Sequence, residues 1–265
     1  MDEPTECLST SITCKTPHND YSSARGHALR ACPVFAQLCD EEITLLASHT
    51  NTVHYNSGQF LMRRGEPSTH VLLITNGVAQ MSVSALNGQE FIIGMVGRNT
   101  LLGDCLRELE PQPMDVMAHE PLSALRIARH ILQILDPLVL STGFNLLLNE
   151  RLQGTLETLQ DLALFNLRPR LARLLTRMHN NEEKNPAGRL TRYNQGTLAS
   201  MVGASRPRVN EHLQYFRQIG AIEIQAGLVL IRQVGLLEQQ VLAPERIAPL
   251  IRSTSYTNRQ QISAP

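Results

Sequence analysis

The stretch TLASMVGASRPRVNEHLQYFRQIGAIEI, residues Thr197–Ile224, decides the fold. Leu198, Ala199 and Val202 put an apolar side on a short helix over Gln195–Val202. Gly203 then takes a turn, because a residue without a Cβ reaches the left-handed region freely. Ser205 has the side chain of an N-cap for a second helix. In that helix Val209, Leu213 and Phe216 recur at steps of four and three, so they share an inward face. Arg206, Arg208, Asn210 and Glu211 are left outside, near its N-terminal end. AIEIQAGLVLIR (221–232) follows with two short apolar strands around Ala226-Gly227, a hairpin. Exposed guanidinium, amide and carboxylate groups at the start of a second helix are what reading base edges in a major groove requires. The stretch reads as a winged helix–turn–helix, with Gln195, Ser205, Arg206, Arg208, Asn210 and Glu211 as candidate DNA contacts.

Upstream, FNLRPRLARLLTRM (165–178) reads as another helix, with Leu171, Leu174, Leu175 and Met178 on one face. A break is expected at Leu167-Arg168, with Pro169 in the first turn, where its missing amide leaves no bond unmade. Before it, a long helix over Pro137–Ala163 carries Phe144, Leu148, Leu152, Leu156, Leu159 and Ala163 at intervals of three or four. That stripe runs about five turns, more than a small domain has surface to cover. It is expected to be the dimerisation seam of a two-chain coiled coil.

From His49 to Ile127 the texture changes. Gly58, Gly65, Gly77, Gly88, Gly97 and Gly103 fall roughly every ten residues among β-branched and aromatic residues, the pattern of antiparallel hairpins. Asn87-Gly88 is the strongest hairpin signal among them. A helix over Glu41–Ser48, N-capped by Asp40, is expected to precede this roll. The fold class is α+β: a disordered tail over 1–28, an antiparallel β-roll over 29–136, a dimerisation helix over 137–166, a winged helix–turn–helix over 167–240 and a flexible tail over 241–265.

Of the 265 residues 42% are apolar and 18% charged, ordinary values for a globular chain. No run approaches the roughly 18 uninterrupted apolar residues of a membrane span. Asp2, Glu3 and Glu6 stand where a signal peptide would be basic, so a cytoplasmic protein without membrane contact is expected. The net charge of zero hides an asymmetry. Residues 32–136 hold 11 acids against 6 arginines, whereas 168–217 hold 10 Lys or Arg against 3 acids. The C-terminal part is therefore the end suited to a polyanion. No nucleophile–base pair, phosphate loop or metal spacing is present, so no enzymatic activity is expected.

Four stretches in this order carry a family resemblance: SGQFLMRRGEPSTHVLLITNGVAQMS (57–82), LLGD (101–104), LQDLALFNLRPRLARLL (159–175) and the opening stretch. With them, residues 30–240 resemble the bacterial transcription regulators of the Crp/Fnr family. The resemblance implies an effector-type roll of the cyclic-nucleotide-binding kind, a homodimer joined through the long helix, and a winged helix bound to double-stranded DNA. RNA polymerase is the further partner that it implies.

The chain departs from the family at the effector positions. Cyclic-nucleotide-binding members hold ribose and phosphate with a Gly-Glu pair and, about ten residues on, an Arg-Ser or Arg-Thr. Here those positions are Gly103-Asp104 and Met114-Asp115, and an acid repels a phosphate where an arginine would clamp it. Cyclic AMP is thus not the expected effector, and the effector is left unidentified or absent. Iron–sulfur members of the family use closely spaced N-terminal cysteines and one in the roll. Here Cys7, Cys14, Cys32 and Cys39 are widely spaced, Leu125 holds the roll position, and Cys105 is the substitute at hand. Haem would need an axial ligand, and nothing singles out His49, His54, His70 or His119. No cofactor or metal is expected. A gas or redox sensor, or a winged helix that contacts protein instead of DNA, are the alternatives. In the second helix Pro207 and Glu211 stand where members often carry Glu and Arg, which implies a different target sequence.

Overall fold

Two four-stranded antiparallel sheets stack face to face in the first half of the chain. Their strands are β1 (Thr50–Tyr55), β2 (Phe60–Met62), β3 (His70–Asn76), β4 (Ala79–Ser84), β5 (Glu90–Val96), β6 (Leu101–Leu102), β7 (Asp115–Ala118) and β8 (Leu122–Ala128). They are ordered β1-β8-β3-β6 in one sheet and β2-β7-β4-β5 in the other. The computed structural model describes residues 24–67, 69–103, 111–184 and 193–242.

Alternation along the strands explains why the first sheet is apolar on both sides. Leu72 and Ile74 of β3, with Leu102 and Ala124, face the second sheet and meet Leu61, Val116 and Ala118. Val71 and Leu73, with Leu101, Leu125 and Ile127, face outward into a layer of helices. That layer holds α1 (Ala24–Arg30), α2 (Asp40–Ser48), α3 (Arg129–Leu132) and the start of α4 (Pro137–Leu164), with Leu29, Phe35, Leu38, Ile43 and Leu46 as its buried contacts. Gly143 of α4 lies so close to this layer that a Cβ there would stand 2.6 Å from the backbone of Val34.

Two differences from the sequence reading occur here. Helix α1 starts at Ala24, inside the 1–28 segment expected to be a disordered tail. Leu29 is fully buried, and the Arg25 guanidinium donates to the Thr50 carbonyl at 2.9 Å. The N-cap of α2 is Cys39, with Asp40 as the first helical residue. The Glu42 carboxylate accepts from the Cys39 amide at 3.0 Å, and Asp40 is instead drawn into an ion pair with Arg30 at 2.6 Å. The other Glu42 oxygen accepts from the Asp136 amide at 2.8 Å, where α4 begins. Asp136 in turn caps α4, accepting from the Leu138 amide at 2.8 Å, with Pro137 in the first turn.

Beyond its first two turns most residues of α4 are exposed as far as Leu164, but the helix stays in touch with the roll: the Arg151 guanidinium donates to the Leu101 carbonyl, and Leu162 lines a cleft with Ile92 and Ile93 of β5. The chain then breaks at Phe165-Asn166, two residues before the expected Leu167-Arg168, and α5 (Leu167–Lys184) begins. The extended Phe165 ends α4, and the Asn166 carbonyl accepts the first helical bond of α5, so Pro169 still falls within its first turn. Helices α6 (Gln195–Val202), α7 (Arg206–Gln218) and α8 (Val234–Leu242) and the hairpin of β9 (Ile222–Gln225) and β10 (Leu228–Ile231) complete a second core. Its buried residues include Leu171, Leu175, Leu198, Val209, Leu213, Phe216 and Leu237. Residues 243–265, most of the expected C-terminal tail, lie outside the described residues.

Candidate nucleic-acid interface

Helix α6 is N-capped by Asn194, whose side-chain oxygen accepts from the Thr197 amide at 2.9 Å. It ends at Gly203 in the left-handed conformation, φ 62° and ψ 43°, and this sets the angle at which α7 departs. Ser205 occupies the N-cap position of α7 in extended conformation but makes no side-chain cap bond, so its hydroxyl remains exposed. Val209, Leu213 and Phe216 are completely buried, which fixes the rotation of α7 about its axis.

At about 100° per residue, that rotation puts Pro207, Glu211 and Gln218 along the centre of the outward face. Arg206, Asn210 and Arg217 fall on one flank, and Arg208 and Tyr215 on the other. Arg206, Arg208 and Glu211 are exposed, while Asn210 is half-buried and accepts from the Gln214 amide nitrogen at 3.4 Å. Gln195, the first residue of α6, is half-buried.

Groups that sequence reasoning missed gather on the Arg208 flank. The Arg168 guanidinium lies 4.6 Å over the Tyr215 ring, so the start of α5 carries a cation beside α7. Burial lowers the Arg170 pKa below its ordinary value; Asp161 opposes this and nearby Arg208 adds to it. Only the basic spacing of 168 and 170 hinted at this cluster. In the hairpin, Ala226 and Gly227 both take positive φ, and Glu223 is ion-paired with Arg232 at 2.5 Å. Hydrogen bonds from Gln225 and from Arg232 hold the Glu223 carboxyl below its usual value.

Of the candidate effector positions, Gly103, Met114 and Asp115 fall among the described residues. Gly103 has φ 100° and sits so tightly that a Cβ would be 3.1 Å from the His70 carbonyl oxygen. Asp104 lies outside the described residues. Met114 is half-buried, and the Asp115 carboxylate accepts from the Arg64 amide at 2.8 Å. His70 approaches the Arg126 guanidinium at 3.4 Å; burial first, and that cation second, lower its pKa. Cys7, Cys14 and Cys105 lie outside the described residues, Cys32 and Leu125 are buried, and Cys39 is partly exposed. Among the described residues no cluster of His, Cys, Asp and Glu could hold a metal ion, and no helix is long and apolar enough to cross a membrane.

On α4 the expected stripe divides. Leu148, Leu152, Leu156 and Leu159 leave about half of their surface or more exposed, and Ala163 is exposed too. Phe144 does not belong with them. It is buried in the helical layer of its own roll, one residue after the close contact of Gly143 with Val34.

Comparison with known proteins follows the same division of the chain. The family model "Cyclic nucleotide-binding domain" matches residues 52–135, and the model "Crp-like helix-turn-helix domain" matches residues 169–240. The Cyclic AMP receptor protein of Thermus thermophilus is 25% identical over 214 residues, which are 80% of this chain and 97% of that one. The CRP-like cAMP-activated global transcriptional regulator of Mycobacterium tuberculosis is 26% identical over 205 residues, 75% of this chain and 91% of that one. A solved structure of a crp/fnr-family transcriptional regulator from Eubacterium rectale shares the fold with a TM-score of 0.65 at 16% identity, covering 81% of this chain and all of that one. A cyclic-nucleotide-binding-type roll and a Crp-like helix–turn–helix, matched in this order on either side of α4, place the chain in the Crp/Fnr family of transcription regulators, which is not a family of enzymes.

Proposed function

We propose that this regulator works in the cytoplasm as a homodimer that binds an inverted-repeat DNA operator and meets RNA polymerase there. The observation that carries the reading is the outward face of α7, polar and exposed above a completely buried apolar face. Arg206 has the fork to take guanine O6 and N7, a contact worth roughly 1–3 kcal/mol of discrimination. Arg208, on the flank that carries Arg168 and Arg170, is placed to hold phosphate, which adds affinity without sequence information. Glu211, at the centre of the face, accepts from a cytosine N4 or repels non-matching sites.

The exposed leucines of α4 support the homodimer, since they are apolar and one chain leaves them uncovered. Two copies of α7 would then address half-sites about 34 Å apart, one helical turn of DNA. Cyclic AMP is not the regulator's effector. The curated relatives carry cyclic AMP in their names, but here Met114 and Asp115 stand where a phosphate would need an arginine and a hydroxyl. The Asp115 carboxylate is already engaged by a backbone amide, that of Arg64.

Binding-site selection from a randomised duplex tests the reading. The expected product is an inverted repeat with half-site centres 10–10.5 base pairs apart. Recovery of no sequence above the starting pool would refute it.

A further inference from the structure

Asp161 is buried, 2% exposed, although most of the α4 residues around it are not. A carboxylate removed from water needs partners, and both come from α5. Arg173 Nε donates to one oxygen at 2.5 Å, and the Arg177 guanidinium donates to the other. Positions 173 and 177 are one turn apart on α5, and both converge on this one carboxylate, one arginine to each oxygen, which restrains how α5 can turn about that point of α4.

Arg170, one turn earlier, extends the chain of bonds. Its guanidinium donates to the Phe165 carbonyl at 3.2 Å and to the Val202 carbonyl, at the end of α6, at 2.9 Å. Arg173 also lies 4.7 Å over the Phe165 ring. The break between α4 and α5 is therefore strapped on its side chain and its carbonyl. On the opposite side of α4 from Asp161 lie Leu159 and Ala163, which face outward.

We propose that Asp161 is a positioning residue for DNA recognition: it locks the angle between α4 and the winged helix, and so sets the spacing of the two α7 helices in a dimer. This rests on the homodimer and operator reading above. DNA is not expected to touch Asp161; its effect runs through Arg173 and Arg177.

The test uses the full chain carrying Asp161→Asn or Asp161→Ala, with Arg177→Gln as a milder variant should the first two fail to fold. Fluorophores at the exposed positions Glu41 and Gln218 report the distance from roll to α7 within one chain, whether or not DNA binds. The wild type should give one narrow distribution, the Asp161 variants a broad one and Arg177→Gln an intermediate one. Binding to a selected inverted repeat should fall at least tenfold in the Asp161 variants, with affinity for a single half-site duplex within twofold of wild type. An unchanged distance distribution overturns the proposal, because the packing of β5 against α6, where the Phe91 ring lies beside Gly203, would then suffice to hold the domains. Equal losses on both duplexes overturn it too, because the damage would lie within the winged helix. Should the wild type bind no duplex, the operator reading fails, and the distances alone still decide the clamp.

Discussion

Replacing Leu152 and Leu159 by glutamate should break the dimer without harming the protomer. In the single chain these leucines leave 57% and 60% of their surface exposed. Full burial of a leucine is worth about 1.5–3 kcal/mol, so covering the remaining half in a seam is worth about 1 kcal/mol each. Two positions in each of two chains then lose about 4 kcal/mol, which raises the dissociation constant about a thousandfold. That figure is a floor, since carboxylates carried into an apolar seam add their desolvation and mutual repulsion. Sedimentation equilibrium across a concentration series measures the constant directly. Thermal melts of dilute protein should show the roll and winged-helix cores intact, because neither substitution touches them. A variant that sediments as the same dimer with the same constant would show that the leucines are not the seam.

Three further outcomes follow from the geometry. Calorimetry with cyclic AMP should show no tight site, and a micromolar constant, roughly −8 kcal/mol, would refute the argument from Met114 and Asp115. His119 packs against the Tyr193 ring at 5.4 Å, and burial, opposed by Glu120, lowers its pKa from the ordinary 6.5. Its contribution is thus present above pH 6.5 and lost as pH falls through the lower folded value, so His119→Gln should flatten urea-measured stability between pH 7 and 5 relative to wild type; parallel profiles would contradict this. Arg208→Ala should weaken binding to all duplexes alike and reduce the slope of log affinity against log salt by about one, whereas an unchanged slope would remove Arg208 from the phosphate contacts.

The winged helix was legible because its signals are local. Gly203, the four-and-three spacing of Val209, Leu213 and Phe216, and Ala226-Gly227 each act within a few residues of themselves. Periodicity placed Phe144 on a face of α4 but could not say which partner that face meets at each turn. The close approach at Gly143 gives the first turns to the protomer's own roll, while Leu148, Leu152, Leu156 and Leu159 of the later turns stay exposed. Helix α1 escaped notice because seven residues after a polar tract are too short to show a period. Asp161 with Arg173 and Arg177 was illegible for the opposite reason: the contact joins two helices across a break whose angle no single-chain pattern encodes. In hindsight, an acid inside an apolar stretch followed by arginines four apart is a trace of it.

The central claim is that the outward face of α7 reads DNA sequence, and binding-site selection run side by side on four proteins tests it most directly. Wild type should return an inverted repeat. Arg206→Ala should return the same repeat with preference relaxed at one base pair per half-site. Arg208→Ala should keep the sequence and lose affinity, and Glu211→Arg should shift the preferred half-site. If all four proteins select the same operator with equal preference at every position, α7 is not the reader, and the account of this interface fails.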